Sequence, residues 1–335
     1  MTEDLPDWSP CSRRARVLEA IDALAGAGVA FPQDALAPGT NPAGLAFVDE
    51  RYDAGLAVFN PSRQYTINGN PSGFPGTFGL VPGTVESDSE YFFVPHFGAA
   101  WEINSTSSWG VALYGHGGMN TDYPTATFYG TSPTGVDLSQ LFILPTYARK
   151  FGGGDHALGI SLTIAYQMFE IQGVQAFGQF SANPAALSNN GRDTSTGFGF
   201  KVGYLGKWTP KFSFGASYES EISMDEFSDY KGLFANKGEF DIPPTATIGL
   251  AWDVAPQHTI VADYQYIWYE SVDAVSNPNR LNLCSPTSTQ YCLGGSKGAG
   301  FGWENTGTIK VGWQFEYNPD LTFRLGFSHN NQPVQ

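Results

Sequence analysis

The chain has 335 residues and a formal net charge of −15, with 32 acidic and 17 basic side chains. This balance argues against a nucleic-acid partner, because phosphate binding requires basic patches. Only 15% of the residues are charged, and no uninterrupted apolar run reaches the roughly 18 residues of a spanning helix. Few charges, 15% aromatic residues and 40 glycines are instead typical of a β-barrel in a membrane.

The first 24 residues are unusual for an exported protein. The segment "MTEDLPDWSPCSRRARVLEAIDALAG" has no apolar central region and no cleavage pattern, so it does not predict a secretory signal. Residues 13–26 predict a short amphipathic helix. An exported barrel needs a signal, so we expect this end to have been replaced, mis-started or frameshifted.

Residues 39–48, "GTNPAGLAFV", lie just before the first predicted strand. The residue before a proline is driven out of the helical region, so Asn41, Pro42 and Ala43 predict a stiff, compact turn. The small residues around it allow close packing. From the residues alone it is an ordinary turn.

Apolar and polar residues then alternate along most of the chain. In "HTIVADYQYIW", residues 258–268, Ile260, Tyr264 and Trp268 share one face, whereas Asp263 and Gln265 share the other. A period of two predicts a strand. Eleven such strands are predicted, near residues 51–60, 89–103, 108–118, 138–150, 155–170, 195–208, 211–222, 243–254, 258–270, 306–317 and 320–329.

Two features favour a membrane barrel over a soluble sandwich, in which the apolar faces would form the core. Short joins alternate with long ones, as periplasmic turns alternate with extracellular loops in outer-membrane barrels. Aromatic side chains that favour the headgroup level of a bilayer end several apolar faces. These are Trp101, Trp109, Trp208, Trp252, Trp268 and Tyr317. The sequence therefore predicts an all-β fold, a transmembrane antiparallel β-barrel.

Three stretches resemble the outer-membrane transport family of long-chain fatty-acid and aromatic-hydrocarbon importers, the FadL/TodX-type proteins. "AGAGVAFPQDALAPGTNPAGLAF" resembles the N-terminal hatch of that family, with its Asn-Pro-Ala motif. "NGNPSGFPGTFGLVPGTVESDSEYFFVPHFG", followed by "GVALYGHGGMNTDY", resembles the first long loop and the next two strands. "DIPPTATIGLAW" and "GWENTGTIKVGWQFEYNPDLTFRLGFSHNNQPV" resemble late strands. The likeness covers roughly residues 25–335.

The resemblance implies a barrel of fourteen strands, plugged from the periplasmic side by a small hatch that Asn41, Pro42 and Ala43 hold compact. It implies that ligands enter from outside, bind an apolar pocket and leave sideways through the wall, with no cofactor. The implied partners are the lipid bilayer, an apolar small molecule and the outer-membrane assembly machinery, and the implied state is a monomer.

About eleven strands are predicted here, against the fourteen of the family. We therefore divide the chain into an atypical N-terminal segment (1–24), an incomplete hatch (25–48) and a barrel truncated at its C-terminus (49–335). Bacterial single-chain barrels have even strand numbers, and an odd number leaves an unpaired edge in lipid. We expect the chain to be a fragment.

Basic residues on the polar faces are candidate ligand anchors. Lys201, Lys310 and Arg324 lie there, and a base in the lumen pairs well with a carboxylate. The alternatives are solvated residues, or pairs with acids such as Glu219 or Asp263. A neutral hydrocarbon would need none of these bases.

Aromatic residues in two long loops are candidates for ligand capture. If exposed, they would form an apolar groove at the outer mouth; alternatively they pack on one another. They are Phe169, Phe177, Phe180, Phe227, Tyr230 and Phe234.

A glycine run interrupts the third predicted strand. Gly115, His116, Gly117 and Gly118 predict a kink, which is where the family resemblance implies the sideways opening.

Cys284 and Cys292 share one polar loop, where a disulfide fits an oxidising compartment and two free thiols are the alternative. No enzyme motif is convincing. "GGSKG", 294–298, matches Gly-x-Ser-x-Gly but lies in a loop rather than on a strand-to-helix elbow, and the five histidines have no metal-ligand spacing.

The leading functional hypothesis is passive uptake of hydrophobic compounds across the outer membrane, driven by their concentration gradient. The alternatives are a structural or adhesion-type barrel, an outer-membrane hydrolase, and a non-functional fragment of a transporter.

Overall fold

The computed structural model describes residues 23–70, 81–126 and 133–334. The first 22 residues, including most of the predicted amphipathic helix, lie outside this part of the chain. The described residues form fourteen strands. They are β1 (Arg51–Phe59), β2 (Gln64–Ile67), β3 (Gly83–Glu86), β4 (Phe92–Asn104), β5 (Ser107–Tyr123), β6 (Thr134–Phe151), β7 (His156–Gln172), β8 (Asp193–Thr209), β9 (Phe212–Glu219), β10 (Ser223–Met224), β11 (Thr245–Ala255), β12 (His258–Ile267), β13 (Thr306–Asn318) and β14 (Leu321–Asn330).

Eleven of these strands follow one another through a single antiparallel sheet, in the order β1-β4-β5-β6-β7-β8-β9-β11-β12-β13-β14. The two-residue β10 pairs with β8, and β2 and β3 form a separate hairpin. The eleven predicted strands are therefore confirmed. Within the described residues, β1 and β14 are the two ends of the sheet.

The sheet has an apolar outer face. On β7, Leu158, Ile160 and Leu162 are each about half exposed, whereas Ser161 and Thr163 on the opposite face are buried. Large exposed apolar side chains recur in this way on most of the strands. A soluble protein would bury this face, but a membrane barrel turns it toward lipid. The alternation in the sequence therefore places apolar side chains on the outer face of the sheet and polar side chains on the inner face.

The joins are short at one end of the barrel and long at the other. The join between β6 and β7 is residues 152–155, and its three glycines, Gly152–Gly154, all have positive φ. The long joins contain short helical turns. These are α1 (Ala235–Gly238), α2 (Asp273–Ser276) and the 3-10 turns Gln175–Phe180, Pro184–Ala186, Ser228–Tyr230, Tyr269–Ser271, Leu281–Leu283 and Thr289–Tyr291. Among the described residues, no helix has the length and apolarity needed to cross a membrane.

The segment before β1 packs inside the barrel. It contains the 3-10 turns Ala37–Gly39 and Pro42–Phe47. Leu24, Leu45 and Val48 join alanines of the segment and of the barrel wall in one buried apolar cluster. We call residues 24–48 the hatch segment. Because it has little regular structure of its own, its position depends on contacts with the wall.

The long loops pack together at the opposite end. Phe169, Phe227, Tyr230, Phe234 and Phe240 form an apolar cluster with residues of α2. We call this cluster the loop cap. A cavity lies between the loop cap and the hatch segment.

Candidate functional site

Asn41 fixes the hatch segment to the barrel wall. Its side-chain oxygen accepts the Ala43 N–H at 3.0 Å, and its amide nitrogen donates to the carbonyls of Val29 (2.7 Å) and Tyr204 (2.8 Å). The residue is 1% exposed, and Pro42 begins the 3-10 turn that follows. One buried amide therefore joins two parts of the hatch segment to β8.

Glycines in the wall create the space for this turn. A Cβ at Gly203 of β8 would overlap Oδ1 of Asn41, and a Cβ at Gly159 of β7 would overlap the backbone of Pro42. Both glycines lie on the polar face of their strands. The backbone of the Asn-Pro-Ala turn thus touches the wall backbone directly, which any larger residue would prevent.

Three charged side chains add further attachments to the hatch segment. Asp263 on β12 accepts the N–H groups of Gly28 (2.7 Å) and Val29 (3.0 Å) through Oδ2. Asp53 on β1 accepts the Ala35 N–H at 2.9 Å. Lys201 on β8 donates to the carbonyl of Gly39 at 2.7 Å. Buried hydrogen bonds to charged groups are among the stronger ones in proteins.

Asp34 is the only acidic residue of the hatch segment, and burial disfavours its charged form. It is fully buried, its Oδ1 accepts the Leu36 N–H at 2.8 Å, and its Oδ2 has no hydrogen-bond partner among the described residues. Burial raises the pKa of Asp34 to about 6. The carboxyl group therefore favours its protonated form inside the barrel.

A cavity of about 690 Å³ occupies the lumen between the hatch segment and the loop cap. Its floor includes Val29, Leu36 and Gly39, and its roof includes Phe240 and Trp303. Such a volume is typical of pockets for small molecules, which combine apolar walls with a few polar groups. Polar groups in the wall include Tyr114, His116, Gln140, Lys201, Ser217, Glu219, Asp241, Thr247, Asp263, Gln265 and Lys310.

Two of the three predicted basic anchors line this cavity. Lys201 does so, but it is held by Glu219 (Nζ–Oε2 3.2 Å) in addition to Gly39. Lys310 also lines the cavity. Arg324 does not: it donates to the side-chain oxygens of Gln314 on β13 (2.8 Å) and of Gln33 in the hatch segment (3.2 Å). Arg324 therefore has a hatch contact in place of the predicted ligand contact.

The predicted groove of exposed loop aromatics is replaced by packing within the loop cap. Phe169, Phe227 and Tyr230 are at most 1% exposed, and Phe234 is 6% exposed. The centroid of the Phe169 ring lies 4.8 to 5.5 Å from those of the other three rings. Phe177 and Phe180 are half-buried in the turn Gln175–Phe180. Apolar rings gain more by covering one another than by facing water.

The glycine run lies at a defect in the barrel wall. Gly115 pairs with Leu141 of β6 and Gly118 with Ser139, so the two residues His116 and Gly117 of β5 lie opposite the single residue Gln140. This is a β-bulge. On the other side, the β4–β5 ladder ends at the pair His96–Tyr114 within the described residues.

Residues 92–95 of β4 and the part of β5 after Tyr114 have no ladder pairs with each other within the described residues. We call the gap between these two strand segments the wall window. At its upper edge the Asp88 N–H donates to the Asp122 carbonyl at 2.7 Å. The side chain of Val94 fills the gap: a Cβ at Gly115 would lie 2.8 Å from Val94 Cγ1. Val94, Gly115, His116 and Gly118 also line the cavity, so the wall window opens directly onto it.

Cys284 and Cys292 are joined by a disulfide with an S–S distance of 2.02 Å. It closes a small loop beyond the 3-10 turn Leu281–Leu283. The nearby Gly-x-Ser-x-Gly match is in the same irregular region, where the Ser296 carbonyl accepts the side-chain amide of Asn277 at 3.2 Å.

These observations define the class of protein to which the chain belongs. It is an outer-membrane β-barrel with an internal hatch and a luminal cavity of the size and lining that suit a small, largely apolar molecule. Residues 19–335 match the family model described as "Outer membrane protein transport protein (OMPP1/FadL/TodX)". The chain therefore belongs to this family of outer-membrane transporters of hydrophobic compounds, which are not enzymes.

Curated relatives include the long-chain fatty acid transport proteins of Escherichia coli O157:H7 and strain K12. Each is 25% identical over 350 residues, which cover 91% of this chain and 74% of the relative. Among solved structures, the chain resembles the Ralstonia pickettii toluene transporter TbuX, with a TM-score of 0.65 and 17% identity over 93% of this chain and 85% of that one. It also resembles the P. putida toluene transporter TodX, with a TM-score of 0.64 and 14% identity over 93% and 82%. The solved structures share the fold.

Proposed function

We propose that the chain mediates passive uptake of hydrophobic compounds, such as long-chain fatty acids or aromatic hydrocarbons, through the outer membrane. The observation that carries this proposal is the continuity between the luminal cavity and the wall window. A molecule in the cavity lies against Gly115 and Val94 and thus next to the lipid-facing surface. An apolar molecule leaving there remains out of water, so a concentration gradient suffices as the driving force.

The hatch segment supports a sideways exit rather than passage straight through. Asn41 and Lys201 attach it to β8, Asp263 attaches it to β12 and Asp53 attaches it to β1, so three strands hold it. Releasing the hatch segment would break all of these buried hydrogen bonds. Opening the wall window requires only a rotation of the Val94 side chain and movement of the β5 segment after Tyr114, which has no ladder partner in β4. We therefore propose that the hatch segment, which contains the predicted hatch 25–48, stays in place.

The test is uptake of radiolabelled toluene and oleate by Gram-negative cells that lack their own transporters for hydrophobic compounds and carry this chain in the outer membrane. We expect uptake above that of cells with the empty vector, unaffected by an uncoupler because no energy source is used. A correctly folded barrel that takes up neither probe would contradict the proposal and favour a structural role. Heat-modifiable electrophoretic mobility confirms folding in both cases.

A further inference from the structure

The wall window is bounded by ladder bonds at one end and by side chains at the other. At its lower end lies the last β4–β5 ladder pair within the described residues, His96–Tyr114. Beyond that pair, β4 stays bonded to β1 as far as Phe92, and β5 stays bonded to β6 as far as Tyr123. Each edge of the window is therefore held by its outer neighbour. How far the two edges separate depends on the contacts that join them at the upper end.

The β2–β3 hairpin and the joins beside it form this upper boundary. The Ser87 side-chain oxygen accepts the Asp122 N–H at 3.0 Å, and the Asp88 N–H donates to the Asp122 carbonyl at 2.7 Å. Tyr65 of β2 packs edge-on against Tyr123, with 4.8 Å between the ring centroids. Several contacts therefore attach the hairpin and the β3–β4 join to the end of β5.

Arg63, in the join between β1 and β2, contacts both edges of the window. Its guanidinium group donates to the carbonyls of Asn120 on β5 and of Ser89 in the β3–β4 join. The same group lies 4.8 Å from the centre of the Phe92 ring on β4. The Arg63 carbonyl also accepts the Ser87 N–H at 2.9 Å. A guanidinium group presents several donors and a planar face together, so one side chain ties two strand segments that share no ladder pairs within the described residues.

The window is a tighter passage than the cavity behind it. The cavity volume of about 690 Å³ lies in the range of pockets for drug-sized ligands, so the cavity accommodates a compound of several fused rings. The window, in contrast, is a gap between two neighbouring strand segments, and the Val94 side chain fills it. The exit therefore limits the size of a departing ligand more than the cavity does.

We propose that Arg63 determines which ligand sizes leave through the wall window, because its tie between β4 and β5 favours narrow apolar compounds over wide, fused-ring ones. This inference rests on the proposed uptake function. A narrow compound leaves once the Val94 side chain rotates. A wide compound requires the two strand segments to separate, which breaks the contact of Arg63 with Phe92 or with Asn120.

The remaining contacts at the upper boundary do not replace this tie. Ser87 and Asp88 bind Asp122 from the β3–β4 join, whereas β4 itself begins only at Phe92. Without the guanidinium group, the start of β4 could move away from β5 while the join stays attached. Arg63 is thus a positioning residue that acts on the ligand through the strand edges.

The first test compares uptake of radiolabelled toluene and pyrene, which differ in width, by cells that carry the full chain. Arg63→Met removes the charge and the donors but keeps an apolar stem. Losing a hydrogen bond from a charged group shifts an equilibrium roughly ten-fold or more, so the ratio of pyrene uptake to toluene uptake should rise about ten-fold. The matched control Arg280→Met, in an exposed loop, should leave the ratio at its wild-type value. General damage to the barrel would lower uptake of both probes.

The second test measures the tie without transport. Spin labels at Phe93→Cys and Asp122→Cys, two exposed positions on the two edges, report their separation in the purified chain, with Cys11→Ser to remove the other free thiol. Arg63→Met should lengthen or broaden the distribution of distances between the labels. Phe92→Leu removes only the ring against the guanidinium group and should move both readouts in the same direction, so the test does not depend on the folding of one variant.

An unchanged uptake ratio or an unchanged distance distribution in the folded variants overturns the proposal. The proposed function fails separately: wild-type cells would then take up neither toluene nor pyrene, although the distance between the labels still responds to Arg63→Met.

Discussion

Asn41 connects three segments through one side-chain amide. The Asn41→Ala variant leaves Val29 O, Tyr204 O and Ala43 N without their partners in a buried site. Unsatisfied buried groups of this kind cost about 1–3 kcal/mol each, and partial relaxation brings the expected loss of hatch docking to about 2–4 kcal/mol. Hydrogen exchange of the amides of residues 41–48 in the folded barrel measures this loss.

The matched control for this prediction is Asn331→Ala, because Asn331 is exposed beyond β14. It should leave exchange of the hatch amides unchanged. Equal protection in Asn41→Ala and the wild-type chain would show that the side-chain amide does not hold the hatch.

Asp34 makes hatch docking depend on pH. Its ordinary pKa of 3.8 applies when the segment is released, and burial raises the pKa to about 6 when it is docked. Docking therefore takes up a proton between these values: it is strongest below pH 3.8 and weakens as the pH rises through 6. Hatch protection against hydrogen exchange, corrected for intrinsic rates, should fall roughly ten-fold or more between about pH 4.5 and pH 7.

The Asp34→Asn variant tests whether this carboxyl is the cause. An amide does not titrate, so the fall in protection over that pH range should disappear. A variant that keeps the same pH dependence as the wild-type chain would assign the effect to another acid.

At the residue scale, the sequence supplied only part of the site. The Asn-Pro-Ala turn was recognisable because proline restricts its neighbour. Asp263 was visible on the polar face of its strand, but its bonds to Gly28 and Val29 span more than 230 residues. Such a contact depends on how the strands are arranged around the lumen, which local patterns do not contain.

Among the elements, the loop cap is a second core that closes the outer end. Phe227→Ala removes a ring that contacts both Phe169 and Phe234. Truncating a buried phenylalanine costs about 3–5 kcal/mol. We expect faster cleavage by trypsin at Lys231 and Lys237 in the loop between β10 and β11, measured by mass spectrometry on the intact barrel.

Phe327→Ala is the matched control, because Phe327 is 66% exposed on the outer face of β14. It should leave loop cleavage at the wild-type rate. A loop that remains equally resistant in Phe227→Ala would mean that the cap does not depend on its aromatic cluster.

Strands and loops differed in how well the sequence predicted them. Long strands were predictable because one side faces lipid and the other faces the lumen, which enforces a strict period of two. The hairpin β2–β3 and the short β10 fell in predicted loops, because two to four residues are too few to show a period. The loop aromatics gave no indication of whether they face water or one another.

At the scale of the whole molecule, the aromatic residues mark the two membrane boundaries. Trp101 and Trp109 stack at 4.2 Å beside the short β4–β5 join, and Trp208 and Trp252 lie near other short joins. Trp268 lies at the opposite end, where β12 meets a long loop. The molecule is therefore arranged in layers from the short turns to the loop cap, with the hatch segment and the cavity enclosed between them.

The central claim, that ligands cross the wall at the wall window, is tested most directly by closing it. A Cβ at Gly115 would lie 3.9 Å from Val94 Cβ, within the range that a disulfide spans. The double variant Val94→Cys/Gly115→Cys should therefore crosslink β4 to β5 on oxidation, and the two single variants and the wild-type chain control for Cys11 and the native disulfide. We expect toluene uptake by cells carrying the oxidised double variant to fall to the empty-vector level and to recover on reduction. Unchanged uptake after complete crosslinking would contradict exit through this window.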